Sequence, residues 1–572
     1  MMEPLLSSKS PMDIYEVDEE ARHLVFQKRI FNKYIPIGII FGLIFSYFAY
    51  IYAYGVNVLF WDEWQFVPVY RELLQRGIRF DFLLKAQHNG NIMTFPYLLM
   101  FIVDFFSGCN NKILMFVGAC FQVASFGLIW SLWARVHKTK NGYWDMVPCA
   151  FIMFSFCQYQ NILWGFQTAW FMITFFSLAA FYFLDIASDN SNNPALFYKT
   201  LIFSLLCGII SSFSSTQGLL VWIAGFIFLF FKIRPKLIFK DRIITIWSIF
   251  GILCWVSYFL LQNKNDIGPQ TITGGVKYAV LNPLFTIKFI LSSLGAVVLG
   301  VSHFTAVLLG ITLCIATVVT VYSCFHSSDA ESCAFPLSLI IFGLFFDVML
   351  AVGRGSFGIG QAFESHYTAY NLLLLVGLYL LFVNNNSRDA INLTRPMRYI
   401  FSLFLSIFLL VFIGLNTFHG ISRGRYWRTA QFFNAYELLN LKNEPAFKIE
   451  RTVFGNYDFI LTQSQFLNSR YLNVFSDEVI NFPPNVQDLE KPPQSYLNIE
   501  TSFPIYRKAL QRLWDVYTIA PDLQKVFPLR SPFFTKNLIR WAYGDAKDKG
   551  HYLHQYLDPY DNQYISLWRK LE

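Results

Sequence analysis

About eleven long apolar runs, separated by short polar segments, fill most of the first 420 residues. They lie near 35–55, 113–134, 144–159, 166–186, 199–214, 217–231, 243–261, 296–324, 335–352, 367–383 and 399–417. A helix needs roughly 20 apolar residues to cross the hydrocarbon of a bilayer, and the shorter runs of about 16 still approach that length. Backbone polar groups in lipid must pair within their own segment, so each run predicts a helix. Two further stretches, 92–107 and 284–295, are apolar enough to span. Counting either alone as a crossing would reverse every later loop, so both are read as helices lying in, or re-entering from, the outer interface.

Charge sets the orientation. Arg22, Lys28, Arg29 and Lys33 precede the first run and place the N-terminus in the cytoplasm. Alternation then brings three basic loops to the same side: Arg135, Lys138 and Lys140; Lys232, Arg234, Lys236, Lys240 and Arg242; Arg388, Arg395 and Arg398. Two segments give no such support. Loop 325–334 carries Asp329 and Glu331 but no Lys or Arg, and the first outer loop holds Arg71, Arg76, Arg79 and Lys85. The expected organisation is a cytoplasmic segment 1–34, a membrane domain 35–417 whose first outer loop is 56–112, and an extracytoplasmic C-terminal domain 418–572. That last region has no span-length apolar run and reads as a mixed α/β or mostly helical cap. Residues 1–34 are polar, with an acidic knot at Glu16, Asp18, Glu19 and Glu20, and read as no cleavable signal.

Composition agrees. Of 572 residues, 55% are hydrophobic and 14% charged, against roughly a quarter charged in soluble domains. The net charge of +8 does not point to nucleic acid, because the basic residues sit in short loops and form no continuous patch. The nine Cys show no CxxC or Cys/His pattern, so neither a disulfide framework nor a zinc site is inferred. The chain has no Walker lysine loop, no HExxH and no Gly-x-Ser-x-Gly. The acidic residues in the runs, Asp104, Asp145, Asp185 and Asp347, are read as nearer ends than centres, unlike the mid-bilayer charges of ion-coupled transporters.

The polar chemistry collects on the face away from the basic loops. Trp61-Asp62-Glu63-Trp64 puts two carboxylates directly after a span. A helix follows, with Phe66, Val69, Tyr70, Leu73 and Leu74 on one face and Pro68 in its first turn. The plainer reading is a helix start flanked by interfacial Trp anchors. The functional one is a base for a substrate hydroxyl, or a holder of a divalent cation. Gln87-His88-Asn89-Gly90-Asn91 reads as a polar turn or as a His within reach of the acidic pair. The amides and aromatics Gln160, Asn161, Trp164 and Gln167 suit a sugar, and equally an aromatic belt with interhelical amide bonds. Gln217, within Ser214 to Leu220, sits in a small-residue helix contact or beside a substrate. Arg354 among glycines, followed by His366 and Tyr367, suits capture of a phosphate, against the plainer option that Arg354 snorkels to the interface.

Taken as an ordered set over roughly residues 35–385, these motifs resemble bacterial multi-span proteins of the GT-C glycosyltransferase superfamily, including the serotype-converting glucosyltransferases that modify O-antigen. Two positions depart from that pattern: Gly90-Asn91 follows His-Asn where an acidic-His-Arg continuation is common, and His366 stands where Arg is usual. The resemblance implies an all-α polytopic fold in a bacterial inner membrane. It also implies a polyprenyl-phosphate-linked sugar donor, with glucose as the sugar, and a polysaccharide or lipid-linked glycan acceptor. Asp62 would be the catalytic base, Glu63 its assistant or a ligand to Mg or Mn, and Arg354, His88 and His366 the partners of the leaving phosphate. Asn89, Gln160, Asn161, Trp164, Gln167, Gln217 and Tyr367 complete the expected substrate-binding set. The rival from another class is a lipid or polysaccharide flippase.

Overall fold

A computed structural model describes residues 30–88, 90–136, 142–234, 241–262, 272–326, 329–384, 395–439, 441 and 456–476. Helix accounts for nearly all of it; the described strands are β1 (Gln87–His88) and β2 (Asn91–Ile92), paired antiparallel. Among the described residues, eleven helical segments have the length and composition to cross a membrane. Spans 1 to 4 are Ile35–Tyr54, Asn111–Val136, Gly142–Leu163 and Gly165–Asp189. Spans 5 to 8 are Pro194–Ser212, Thr216–Ile233, Arg242–Leu261 and His303–His326. Spans 9 to 11 are Glu331–Phe357, Ser365–Val383 and Leu405–Arg428. Each coincides with one of the apolar runs. Polytopic all-α membrane architecture is therefore the fold.

The two ambiguous stretches are resolved by what their ends touch. Thr94–Ser107 is a 14-residue helix. Asn111, which opens span 2, donates its backbone N–H to Asn57 Oδ1 at 2.8 Å and its amide to the Val58 carbonyl at 2.7 Å. The end of span 1 and the start of span 2 thus share one face, and the helix between them does not cross. The second stretch is a helix pair, Gly274–Leu281 and Pro283–Gly295, bent by 103°. Lys232, at the end of span 6, contacts Glu331, at the start of span 9, at 2.6 Å. Spans 7 and 8 restore the starting face only if the bent pair enters and leaves on one side, so it is re-entrant. Its second helix packs on span 8 with little separation: a Cβ on Gly295 would lie 1.9 Å from the Ala306 carbonyl, and one on Gly310 2.0 Å from that of Leu291.

One end of the bundle is tied by charge. Lys232 also reaches Asp185 at 3.1 Å and Asp189 at 2.9 Å, and Arg135 pairs with both aspartates. These residues close spans 2, 4 and 6 and open span 9. Loop 325–334, silent in the positive-inside count, therefore belongs with the basic face through Glu331.

At the opposite face span 11 does not stop at the expected boundary of 417. Its helix runs unbroken from Arg395 to Leu439. The Tyr50 hydroxyl donates to the Gly420 carbonyl at 2.7 Å, and Arg428 Nη1 to that of Ala53 at 2.8 Å. A short helix, Tyr457–Ser469, follows, and Asn473 returns to the first loop. The expected cap beyond residue 476, like the segment before residue 30, lies outside the described residues.

One expectation needs correction. Asp347 is not near an end: it stands past the midpoint of span 9, ten residues short of its C-terminal end, and is fully buried. A single carboxylate barely lowers the apolarity of so long a run, so its depth is easily misjudged from hydropathy.

Candidate functional site

The acidic motif begins with a sharp change of direction. Phe60 is extended, Trp61 takes a left-handed conformation at φ +46°, and a single 3₁₀ segment, Trp61–Gln65, follows. Left-handed backbone in a bulky residue is unfavourable and persists where its surroundings over-determine it. Here the determinant is Glu63. Its Oε2 accepts the Phe60 N–H at 2.7 Å and the Asn111 amide at 2.9 Å, and its Oε1 accepts the Phe166 N–H at 2.8 Å. Burial pushes the Glu63 carboxyl up from its ordinary value, while the N–H groups of Phe60 and Phe166 and the Asn111 amide act against it. Gly165 is required at this junction, because a Cβ there would lie 1.7 Å from Asn111 Oδ1. Both oxygens of Glu63 face N–H donors, two on Oε2 and one on Oε1. Glu63 is therefore placed as the keystone of the loop.

The clamp continues away from the site. Asn57 Oδ1 also accepts the Asn473 amide at 3.0 Å, and that amide reaches the Cys109 carbonyl at 2.8 Å. Asn473 Oδ1 accepts the Leu59 N–H at 3.3 Å. A buried network thus runs from Asn473 through Asn57 and Asn111 to Glu63.

Asp62, the residue before Glu63, remains partly accessible. Its side chain keeps 23% of its exposure, and its Oδ2 lies 3.1 Å from His88 Nε2. Burial alone would raise the Asp62 carboxyl, but the hydrogen bond and field of His88, with the charge of Arg354, outweigh it and hold the group below the usual carboxylate value. His88 is buried, edge-on to Phe166 at 5.0 Å, and held by the hairpin. That hairpin is anchored to the end of span 7: the Ile92 N–H donates to the Tyr258 hydroxyl at 3.0 Å, and the Gln262 amide to the Gly90 carbonyl at 2.7 Å. Thr216, at the start of span 6, bridges Asn91 and Tyr258.

Facing this carboxylate, the ends of spans 3, 9 and 10 meet. Gln160 Nε2 donates to Glu364 Oε2 at 3.2 Å, which fixes Gln160 Oε1 as an acceptor for the His366 backbone N–H at 3.1 Å and for His366 Nδ1 at 2.9 Å. His366 therefore carries its proton on Nδ1, and a neutral ring presents a lone pair at Nε2. The Asn161 amide donates to the His366 carbonyl at 3.1 Å. Arg354 ends the span 9 helix; its guanidinium lies 5.6 Å from the Phe357 ring and beside the Tyr367 hydroxyl, and its charge acts on both Asp62 and His366. An aromatic wall completes the enclosure. Phe60 stacks on Trp61 at 5.1 Å and meets Trp164 and Trp427 edge-on, and Trp164 meets the His366 ring edge-on at 6.0 Å. Trp427 is seated by its Nε1 on the Leu163 carbonyl at 3.0 Å.

Of the residues expected from sequence, Asp62, His88, Gln160, Asn161, Trp164, Arg354, His366 and Tyr367 converge. Gln217 belongs with the hairpin support beside Thr216, and Gln167 with the Glu63 clamp through its neighbour Phe166; Asn89 lies outside the described residues. Trp164 Nε1, Asn161 Oδ1, Gln167 Oε1 and Gln217 Oε1 are buried without a hydrogen-bond partner among the described residues. Buried polar atoms are normally paired, so Trp164 Nε1 and Asn161 Oδ1, the two of these that lie in the converging site, are atoms a polar ligand would satisfy. Sequence reasoning missed Asn57, Asn111 and Asn473, which carry no motif, and Trp427, which lies beyond the expected domain boundary. Among the described residues no three His, Cys, Asp or Glu side chains gather as a metal site. Family models, curated proteins and solved structures yield no match to the chain, so what the site does must be argued from its chemistry.

Proposed function

We propose that the chain is a GT-C-type glycosyltransferase of a bacterial inner membrane. It moves a sugar, glucose by resemblance, from a polyprenyl-phosphate carrier to a surface polysaccharide such as O-antigen on the face away from the basic loops. The observation that carries this reading is the division of labour between two adjacent carboxylates: Glu63 is consumed by the fold, while Asp62 is ionised, partly accessible and oriented by His88 beside Arg354. Such a carboxylate is suited to take a proton from an acceptor hydroxyl as that oxygen attacks the anomeric carbon. The bond from that carbon to the carrier phosphate breaks with its electron pair going to the phosphate oxygen, on the opposite side, and the anomeric configuration inverts. Arg354 stabilises the departing charge, as preorganised donors do. The Trp61, Trp164 and Trp427 wall offers flat faces for sugar rings.

Donor logic favours the same reading. Nucleotide sugars are cytoplasmic, and a lipid-linked sugar is the activated form available on the far side of the membrane. The decisive experiment replaces Asp62 with Asn and compares surface polysaccharide by mass spectrometry. Loss of the hexose increment, with the protein still folded in membranes, is expected; unchanged transfer removes Asp62 from the chemistry. The flippase alternative draws on one observation, the polar cluster around Asp347 inside span 9, and predicts carrier movement without any change in glycan mass.

A further inference from the structure

A second polar centre lies well away from Asp62. Asp347 is seven residues before Arg354, about 10 Å deeper along the span 9 helix. It is 0% exposed, as is Ser292; Ser293 and Asn371 are 1% exposed. Its Oδ1 accepts the Ser293 hydroxyl at 2.6 Å and the Asn371 amide at 3.2 Å. The same amide donates to the Ser293 carbonyl at 3.0 Å. Three elements thus meet at one carboxylate: the re-entrant helix Pro283–Gly295, span 9 and span 10. Asp347 Oδ2, Asn371 Oδ1 and the Ser292 hydroxyl have no partner among the described residues.

The charge balance of this centre is incomplete. No ion pair reaches Asp347 among the described residues. The groups facing it are the Ser293 hydroxyl from the re-entrant helix, the Asn371 amide from span 10 and the Cys314 thiol from span 8. Ser292 and Ser293 lie in the last turn of the re-entrant helix, whose carbonyl end adds negative partial charge. An isolated carboxylate buried in an apolar medium is too costly to remain uncompensated. Two neutral hydrogen bonds on one oxygen solvate it but do not neutralise it. Oxygen acceptors at the carbonyl end of a broken membrane helix form the kind of environment that holds Na⁺ or a proton in membrane proteins.

We infer that Asp347, with Ser293 and Asn371, forms a membrane-embedded site for one small monovalent cation, Na⁺ or a proton. Occupancy would fasten the re-entrant helix pair to spans 9 and 10. That pair also packs on the segment following Arg354: a Cβ built on Gly355 would lie 3.9 Å from the rings of Tyr278 and Phe285. The cation site would therefore bear on how firmly Arg354 is held. It stands independently of the sugar chemistry.

The test uses the full chain in lipid nanodiscs. Thermal midpoints of wild type and Asp347→Asn are compared at pH 8 in NaCl against choline chloride at equal ionic strength, then in choline from pH 9 to pH 6. A saturable sodium shift of several degrees in wild type and none in the variant identifies Na⁺. No sodium shift, with wild type gaining more stability than the variant as pH falls, identifies the proton, because a ligand bound only by the folded state stabilises it. Should the variant fail to fold, carbodiimide labelling of Asp347 in wild type gives the same answer. Labelling suppressed by Na⁺ supports sodium, and labelling that persists in Na⁺ but fades as pH rises supports the proton. Midpoints that respond alike in both proteins, or labelling indifferent to both Na⁺ and pH, overturn the inference.

Discussion

Replacing Glu63 separates architecture from chemistry in the acidic pair. Glu63→Ala strands three buried donors, the N–H groups of Phe60 and Phe166 and the Asn111 amide. Each stranded donor costs ~1–3 kcal/mol, so the loss is ~3–9 kcal/mol. Glu63→Gln is gentler. Its single carbonyl oxygen can serve the two donors now shared by Oε2, but its NH₂ then faces the Phe166 N–H, for ~1–3 kcal/mol. Asp62→Asn keeps an acceptor for His88 at a partly exposed position and costs ~0.5–1 kcal/mol. The expected order of stability is wild type, Asp62→Asn, Glu63→Gln, Glu63→Ala, read as thermal midpoints of purified protein by tryptophan fluorescence. Transfer should follow a different order, with Glu63→Gln retaining a fraction of it and Asp62→Asn none. If Glu63→Gln were as stable as wild type, or Asp62→Asn as damaged as Glu63→Ala, the separation of roles would be wrong.

Arg354→Ala should slow donor turnover at least tenfold while leaving acceptor affinity unchanged, measured with a polyprenyl-phosphate sugar and initial rates; an effect confined to acceptor affinity would remove it from the donor phosphate. Because His88 helps hold Asp62 below the ordinary carboxylate value, the acid limb of the wild-type pH–rate profile should lie below that value, and His88→Ala should move the limb to higher pH. A limb that stays put would break the His88–Asp62 link. Burial pushes the Asp104 carboxyl, in the non-crossing helix, up to about 8. A raised folded value means stability is fully present below about 4 and is lost as pH rises towards 8. Asp104→Asn should therefore flatten the stability profile across that window, and an unchanged slope in thermal midpoints would refute the assignment.

The membrane fold was legible because burial in lipid demands continuous apolarity, and all eleven runs became spans. The re-entrant pair was half visible. Leu284 to Gly295 reads as apolar, but the apolar pattern of its partner helix is interrupted by Gly274, Gly275 and Lys277, and only the Lys232–Glu331 contact settles its direction. The extension of span 11 past Arg428 was hidden because Arg423, Arg425 and Arg428 look like the end of a span, while the helix continues as a supported strut. In the site, motif residues at loop edges were legible as chemistry, since carboxylates and imidazoles beside a membrane need a reason. What sequence could not separate was the two carboxylates, because their difference lies in Asn111 and Phe166, distant in the chain. Isolated asparagines acquire meaning only from the carbonyls they meet.

The Asn473 to Asn57 bond spans 416 residues of chain. At a synthesis rate of about 5–20 residues per second, the first loop emerges roughly 20–80 s before its partner. Until then the loop bearing Asp62 has one side open. Closure of the loop bearing Asp62 is thus postponed until residue 473 has been made, and a chain interrupted before it would carry its apolar spans but lack this clamp. The ribosome's progress acts as a licence: a loop begun at Asn57 closes only once Asn473 has emerged.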